Sequence, residues 1–312
     1  MTTPVYQHGQ LYCGTLLVND LDKSVSLYTD LLSQEVVEYS TIPETLAQSW
    51  AAPRLTGMQS CLLRPITDES QEDSNSITYL RLIQSPEALT PVPHATTYGW
   101  TAFEISVMDV FALAEKLEGS GFTVVGPPKR LQGISNVIPM QVVGPDQEVL
   151  YLNQILSAGE HTDVACASRE VDQFFIAVLA SVDRELVVQD YCQQFKLQAT
   201  QTHELRYSLI NRAFGFDADT KHVLTVLQEG SMPVFEIDQY PQQTSMRNVL
   251  NGSLPLGNAM VSIRVDNLDD LPLSNKVSDK VIQHQDLLYR GCRSIVVRGR
   301  SNELIELIEG VE

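Results

Sequence analysis

LYCGTLLV at residues 11–18 is an apolar run too short for a buried helix, and it predicts a strand. Asn19-Asp20-Leu21-Asp22 then turns the chain, with Asp20 or Asp22 placed to cap a helix. In the helix that follows, KSVSLYTDLLSQ, the apolar residues Val25, Tyr28, Leu31 and Leu32 recur at helical spacing. Two short strands are expected near 34–40 and 77–84, around a long polar excursion. Part of that excursion, DESQEDSNS at 68–76, is an acidic, Ser-rich loop.

The pattern then restarts. WTAFEISV at 100–107 predicts a strand, and Asp109 opens a helix through VFALAEKLEGSGF that ends at Gly119 or Gly121. FTVVGPP is a strand closed by a proline turn. IPMQVVG and EVLYLNQI are two more strands, joined by the turn residues Gly144-Pro145-Asp146-Gln147. A third unit runs through DQFFIAVLAS (172–181), Asp183 with the helix RELVVQDYCQQF, HVLTVLQE (222–229) and PVFEIDQY (233–240). The fourth has NAMVSIRV (258–265), the turn Asp266-Asn267-Leu268-Asp269 with a weak helix, then CRSIVVRG and NELIELIEG.

Strand, aspartate turn, helix and further strands thus occur four times. The anchoring residues Asp20, Asp109, Asp183 and Asp266 are 89, 74 and 83 residues apart. A repeat of this kind decides the architecture. It predicts an α+β fold of four tandem βαββ modules in two domains with mixed sheets. The expected division is a first domain at 1–155, a small and polar linker at 156–171, and a second domain at 172–312.

Composition narrows the function. Hydrophobic residues make up 43% and charged residues 19%, which suits packed domains and not a disordered chain. The net charge of −18, with no Lys/Arg cluster to offset it, argues against nucleic acid and anionic membrane as partners. The five cysteines, Cys13, Cys61, Cys166, Cys192 and Cys292, are odd in number and contain no CxxC pair, so no disulfide framework or structural zinc is expected. MTTPVYQHGQ has neither basic nor apolar leader character, and no apolar run approaches the roughly 18–20 residues of a membrane span. A cytoplasmic monomer or homodimer is the expectation. GxGxxG, P-loop, HExxH and GxSxG motifs are all missing from the sequence, so nucleotide and hydrolase readings lack support.

Three segments carry a family resemblance. VNDLDKSVSLYTDLL (18–32) resembles the first-module signature of the vicinal oxygen chelate superfamily, which includes glyoxalase I, bleomycin-resistance proteins and extradiol dioxygenases. GPDQEVLYL (144–152) and RSNELIELIEG (300–310) resemble its closing hairpin. The resemblance implies U-shaped sheets around a cavity, with metal ligands on inward positions of the first and last strand of a module. By register those positions are Cys13, Ala102, Ile176 and Met260, then Arg81, Tyr151, Glu236 and Glu306. None is histidine. His8, His94, His161, His203, His222 and His284 all lie elsewhere. Neither a metal nor another cofactor is therefore expected.

Strand alternation adds inward neighbours: Thr15, Glu104, Asn153, Asp238, Ser262 and Arg264. A carboxylate in an apolar cup has its pKa raised and can serve as an acid or base near neutral pH. The implied function is metal-independent isomerase, lyase or hydrolytic chemistry on a small, partly apolar organic molecule. Glu236, Glu104 and Tyr151 are the catalytic candidates; Arg81, Glu306, Cys13, Trp100 and Asp238 are the ligand-binding ones. Arg81 is a natural partner for Glu306 if modules one and four meet. Two other readings stay open: a non-catalytic binding protein of bleomycin-resistance type, whose acidic cavity suits a cation, and a metal-dependent lyase or dioxygenase using carboxylates such as Glu236 with Asp238.

Overall fold

A computed structural model describes residues 8–67, 77–130, 136–157, 164 and 166–310. The acidic segment 68–76, residues 158–163 and 165 of the expected linker, and with them His161, lie outside the described residues.

Module one comprises β1 (Leu11–Val18), α1 (Leu21–Leu31), β2 (Gln34–Thr41), α2 (Glu44–Ser49), β3 (Gln59–Pro65) and β4 (Tyr79–Gln84). Module two has β5 (Gly99–Val107), α3 (Val110–Leu117), β6 (Thr123–Gly126), β7 (Val137–Val143) and β8 (Val149–Ile155). The third contains β9 (Val171–Ser181), α4 (Arg184–Phe195), β10 (Gln198–Arg206), α5 (Ser208–Phe214), β11 (Lys221–Glu229) and β12 (Met232–Gln239). Last come β13 (Gly257–Val265), β14 (Ile282–Gln283), β15 (Arg293–Arg298) and β16 (Leu304–Glu309). No helix among the described residues is long and apolar enough to cross a membrane.

Three of the four aspartate turns cap a helix. The side chain of Asp20 accepts from the Lys23 backbone N–H, that of Asp109 from Phe111 and Ala112, and that of Asp183 from Leu186. These bonds satisfy donors that a helix N-terminus leaves open. The fourth turn differs. Asn267 is the cap, and only a three-residue 3-10 turn, Leu268–Asp270, follows. Pro272 explains this: it pushes Leu271 into the extended region, φ −102° and ψ 129°, and stops the helix.

The strands form two eight-stranded mixed sheets, ordered β14-β15-β16-β13-β1-β4-β3-β2 and β10-β11-β12-β9-β5-β8-β7-β6. Module one therefore shares a sheet with module four, and module two with module three. These sheets do not coincide with the expected sequence halves 1–155 and 172–312. The joins are antiparallel pairings of first strands, β1 with β13 and β5 with β9, while β4, β8, β12 and β16 run parallel to their modules' first strands. Each first strand has one edge closed by its own module, and the other edge needs a partner from elsewhere.

One apolar core lies beneath the helices and between the sheets, and includes Leu16, Phe103, Tyr191, Phe235 and Ile263. Within it a Cβ on Gly14 would come 2.7 Å from the Phe103 ring, so the close approach of β1 to β5 requires glycine there.

Candidate active site

Apart from that core, each sheet gathers a second buried cluster of side chains, its cup. In the first cup, Arg81 on β4 is in register with Thr15 on β1, and Glu306 on β16 with Ser262 on β13. Arg81 donates from Nε and Nη2 to Thr15 Oγ1 at 3.1 and 3.0 Å, and from Nη1 to Tyr289 Oη at 2.9 Å. Its Nη2 lies 3.4 Å from Glu306 Oε2. Glu306 also accepts from Trp50 Nε1 at 3.0 Å, Tyr289 Oη at 2.6 Å and Ser262 Oγ at 2.7 Å.

Trp50 and Tyr289 thus fill this cup, and the Arg81 guanidinium sits 4.5 Å over the Trp50 ring. Cys13 lies in the same filling, and burial pushes its thiol up to about 12, which leaves it protonated. Of the predicted residues, Arg81, Glu306 and Cys13 are brought together here, in a cluster whose charged groups are already satisfied.

The second cup is different. Glu104 on β5 is in register with Tyr151 on β8, and Glu236 on β12 with Val178 on β9. Glu104 Oε2 accepts from Asn153 Nδ2 at 2.6 Å. Tyr207, just before α5, donates its hydroxyl to Glu236 Oε1 at 3.0 Å. The rings of Tyr151 and Tyr207 lie 6.2 Å apart. Ala102, Val149, Ile176, Val178 and Leu209 make the apolar wall. Glu104 and Asp238 are buried, while Glu236 and Tyr207 keep part of their surface in contact with solvent.

Three carboxyl groups here face one another without a cation. Among the described residues no N–H or hydroxyl donor reaches either oxygen of Asp238; its carboxyl group lies within hydrogen-bonding reach of Glu236, and the Tyr151 hydroxyl within reach of Tyr207. Burial, and then the nearby Glu236 charge, push Glu104 well above the usual carboxylate range. Asp238 is pushed well up by burial and by Glu236 and Glu104. Glu236 is raised to about 7 by burial, a shift moderated by the Tyr207 hydrogen bond.

Trp100 belongs to neither cup. A break in the β5–β9 register between Trp100 and Ala102 turns its side chain into the intersheet core. There it stacks on Phe235 at 5.4 Å and donates from Nε1 to the Leu304 carbonyl at 2.9 Å. The expected ligand contact from Trp100 is thereby corrected. His94, in the loop before β5, is buried with its ring between Asn258 Oδ1 and the Leu256 carbonyl, and burial lowers its pKa well below the usual value. A separate groove of about 530 Å³, between residues 89–92 and 247–256, is lined by none of the three carboxylates.

Tyr207 and Trp50 escaped the sequence reading. Tyr207 was findable: SLINRAFG after it has apolar residues at helical spacing and ends in Gly215, at φ +69°. Trp50 carried no such signal, because its role depends on a sheet partner in module four.

Among solved structures, glyoxalase I from Zea mays is similar at 14% identity and a TM-score of 0.59, over 96% of this chain and 92% of that one. A putative dioxygenase from Bacillus subtilis is similar at 12% identity and a TM-score of 0.57, over 98% and 86%. The chain has the vicinal oxygen chelate fold. No protein-family model and no curated protein matches the sequence.

For that fold the first question is a metal. The ligand positions implied by the resemblance hold Ala102, Ile176, Tyr151 and Glu236 in one sheet, and Cys13, Met260, Arg81 and Glu306 in the other. In the first cup a guanidinium occupies the ligand place. In the second the carboxyl groups are not arranged as a ligand set: among the described residues no group of three His, Cys, Asp or Glu is placed to hold a metal ion. The donor set does not fit the fold's metal.

Proposed function

We propose that the chain acts on a small, partly apolar organic molecule in the second cup, with Glu236 as the group that moves a proton. The observation that carries this reading is one cluster holding Glu104, Glu236, Asp238 and the hydroxyl of Tyr151, with no ion pair to any of the three carboxylates among the described residues. The first cup supplies the contrast. Its carboxylate is surrounded by four donors and its space is taken by Trp50 and Tyr289.

Glu236 is suited to the task because a carboxyl group near 7 is found in both protonation states at neutral pH. Tyr207 donates to its Oε1, and Asp238 lies within hydrogen-bonding reach of the same carboxyl group. Burial and like charge hold Glu104 and Asp238 well above the usual carboxylate range, and a carboxyl group in its protonated form can donate a hydrogen bond. Such a set suits chemistry in which a proton leaves one atom and returns at another, as in isomerisation or elimination.

A thermal-shift screen of small organic molecules against wild type, Glu236→Gln and Glu306→Gln tests this. Hits lost in Glu236→Gln and kept in Glu306→Gln support the reading. The reverse pattern moves the working site to the first cup.

A further inference from the structure

The groove between residues 89–92 and 247–256 meets the filling of the first cup at Leu254 and Leu256, and holds neither Arg81 nor Glu306. Its volume of about 530 Å³ is in the range of small-molecule sites. Six of its ten lining residues are leucine or valine, and none is acidic. One is a cation. Arg247, only 9% exposed, reaches the groove from the chain between β12 and β13.

That guanidinium is buried without a counter-ion. Its Nε donates to Thr97 Oγ1 at 3.1 Å, its Nη1 to the Asn258 carbonyl at 3.0 Å and its Nη2 to the Trp100 carbonyl at 2.9 Å. All three acceptors are neutral, and among the described residues Arg247 forms no ion pair. Glu87, two residues before Leu89, is held instead by Arg54 at 2.7 Å. Burial brings Arg247 down to about 10, so it is charged at neutral pH. A buried charge is costly unless an opposite charge meets it. In a chain with 39 acidic residues against 21 basic ones, this cation has been left without an acid. Bonds to three neutral acceptors would tie the loop to β5 and β13 equally well without a charge. A water-sized gap of about 20 Å³ beside Trp100 and Asn258 has room for a water, which supplies no charge either.

We infer that this groove binds an organic monoanion, a carboxylate on an apolar chain, with the carboxylate on Arg247 and the chain along Leu89, Val92, Leu250 and Leu254. Three of the five guanidinium N–H groups are used within the protein, so two Nη hydrogens are left for a ligand. A carboxylate matches a guanidinium in geometry and charge. A phosphate dianion is poorly served, since the groove lining holds a single cation. An ammonium ion meets like charge. The site is separate from the second cup and does not depend on the function proposed for it.

Equilibrium dialysis of the full chain against octanoate, octylammonium and inorganic phosphate tests this. Octanoate is expected to bind at least about tenfold more tightly than the other two. Arg247→Lys, which keeps the charge and loses the fork, should weaken octanoate about fivefold or more. Leu250→Glu puts a like charge into the half-buried lining and should weaken it at least about tenfold. Glu236→Gln should leave octanoate binding unchanged. Octylammonium bound as tightly as octanoate, or phosphate bound more tightly, overturns the inference. So does octanoate binding that is lost in Glu236→Gln and kept in Leu250→Glu, which places the anion in the second cup. No binding of millimolar octanoate overturns it as well. Where Arg247→Lys does not fold, Leu250→Glu decides: octanoate bound there as in wild type contradicts the site.

Discussion

Arg81 Nη2 lies 3.4 Å from Glu306 Oε2, with both side chains buried and Tyr289 bridging them by accepting from one and donating to the other. A buried pair of this kind contributes little compared with apolar packing, but breaking it strands a charge. Arg81→Ala should lower the unfolding free energy by about 3–5 kcal/mol in urea melts. Ligand binding per folded molecule should stay as in wild type. A loss below about 1 kcal/mol would show that the cup relaxes around a lone Glu306.

The two closing hairpins repeat one device. A Cβ on Gly144 or Gly299 would fall 1.8 or 1.7 Å from the carboxylate of Glu148 or Glu303, each of which folds back to take a backbone N–H in its own turn. Burial raises Glu148 to about 8 and Glu303 to about 7. For an acid whose folded pKa is raised, the stabilisation is full below the unfolded value of 4.5 and is lost as pH rises through the folded value. The melting temperature should therefore fall as pH rises from about 4.5 to about 8 and level off above that. In the Glu148→Gln/Glu303→Gln variant the fall should be shallower. An identical slope in both proteins would rule these two groups out as its cause.

Much of the fold could be read from the chain, and the reasons are local. Asp20, Asp109 and Asp183 precede helices with apolar residues at helical spacing, so capping and periodicity agree. Asp266 imitates that turn, but Pro272 blocks the helix. The pairing of Arg81 with Glu306 followed from strand register once module one was set beside module four. Which modules share a sheet could not be read, because all four first strands are mainly apolar and buried and no residue on them selects a partner. Trp100 was misplaced for a related reason: strict alternation puts it with Ala102, and the register break at that point reverses it. Tyr207 and α5 are not among the elements read from the sequence, although their helix signal is present.

The donor set also makes a direct statement about metal. After extensive dialysis the protein should hold well under one zinc, nickel, iron or manganese ion per chain by elemental analysis, and a chelator should leave its melting temperature unchanged. Close to one ion per chain, lost in Glu236→Gln, would point to a carboxylate-ligated metal enzyme instead.

The central claim is that Glu236 serves a ligand and not the fold. The most direct measurement is the affinity of Glu236→Gln for a ligand of the wild-type protein, taken beside its melting temperature. Loss of a charge-assisted hydrogen bond should weaken binding about ten- to a hundredfold. The melting temperature should hold or rise slightly, since a desolvated carboxyl group is replaced by a neutral amide. A variant that melts far lower than wild type, with unchanged affinity per folded molecule, would make Glu236 a structural residue and contradict the account.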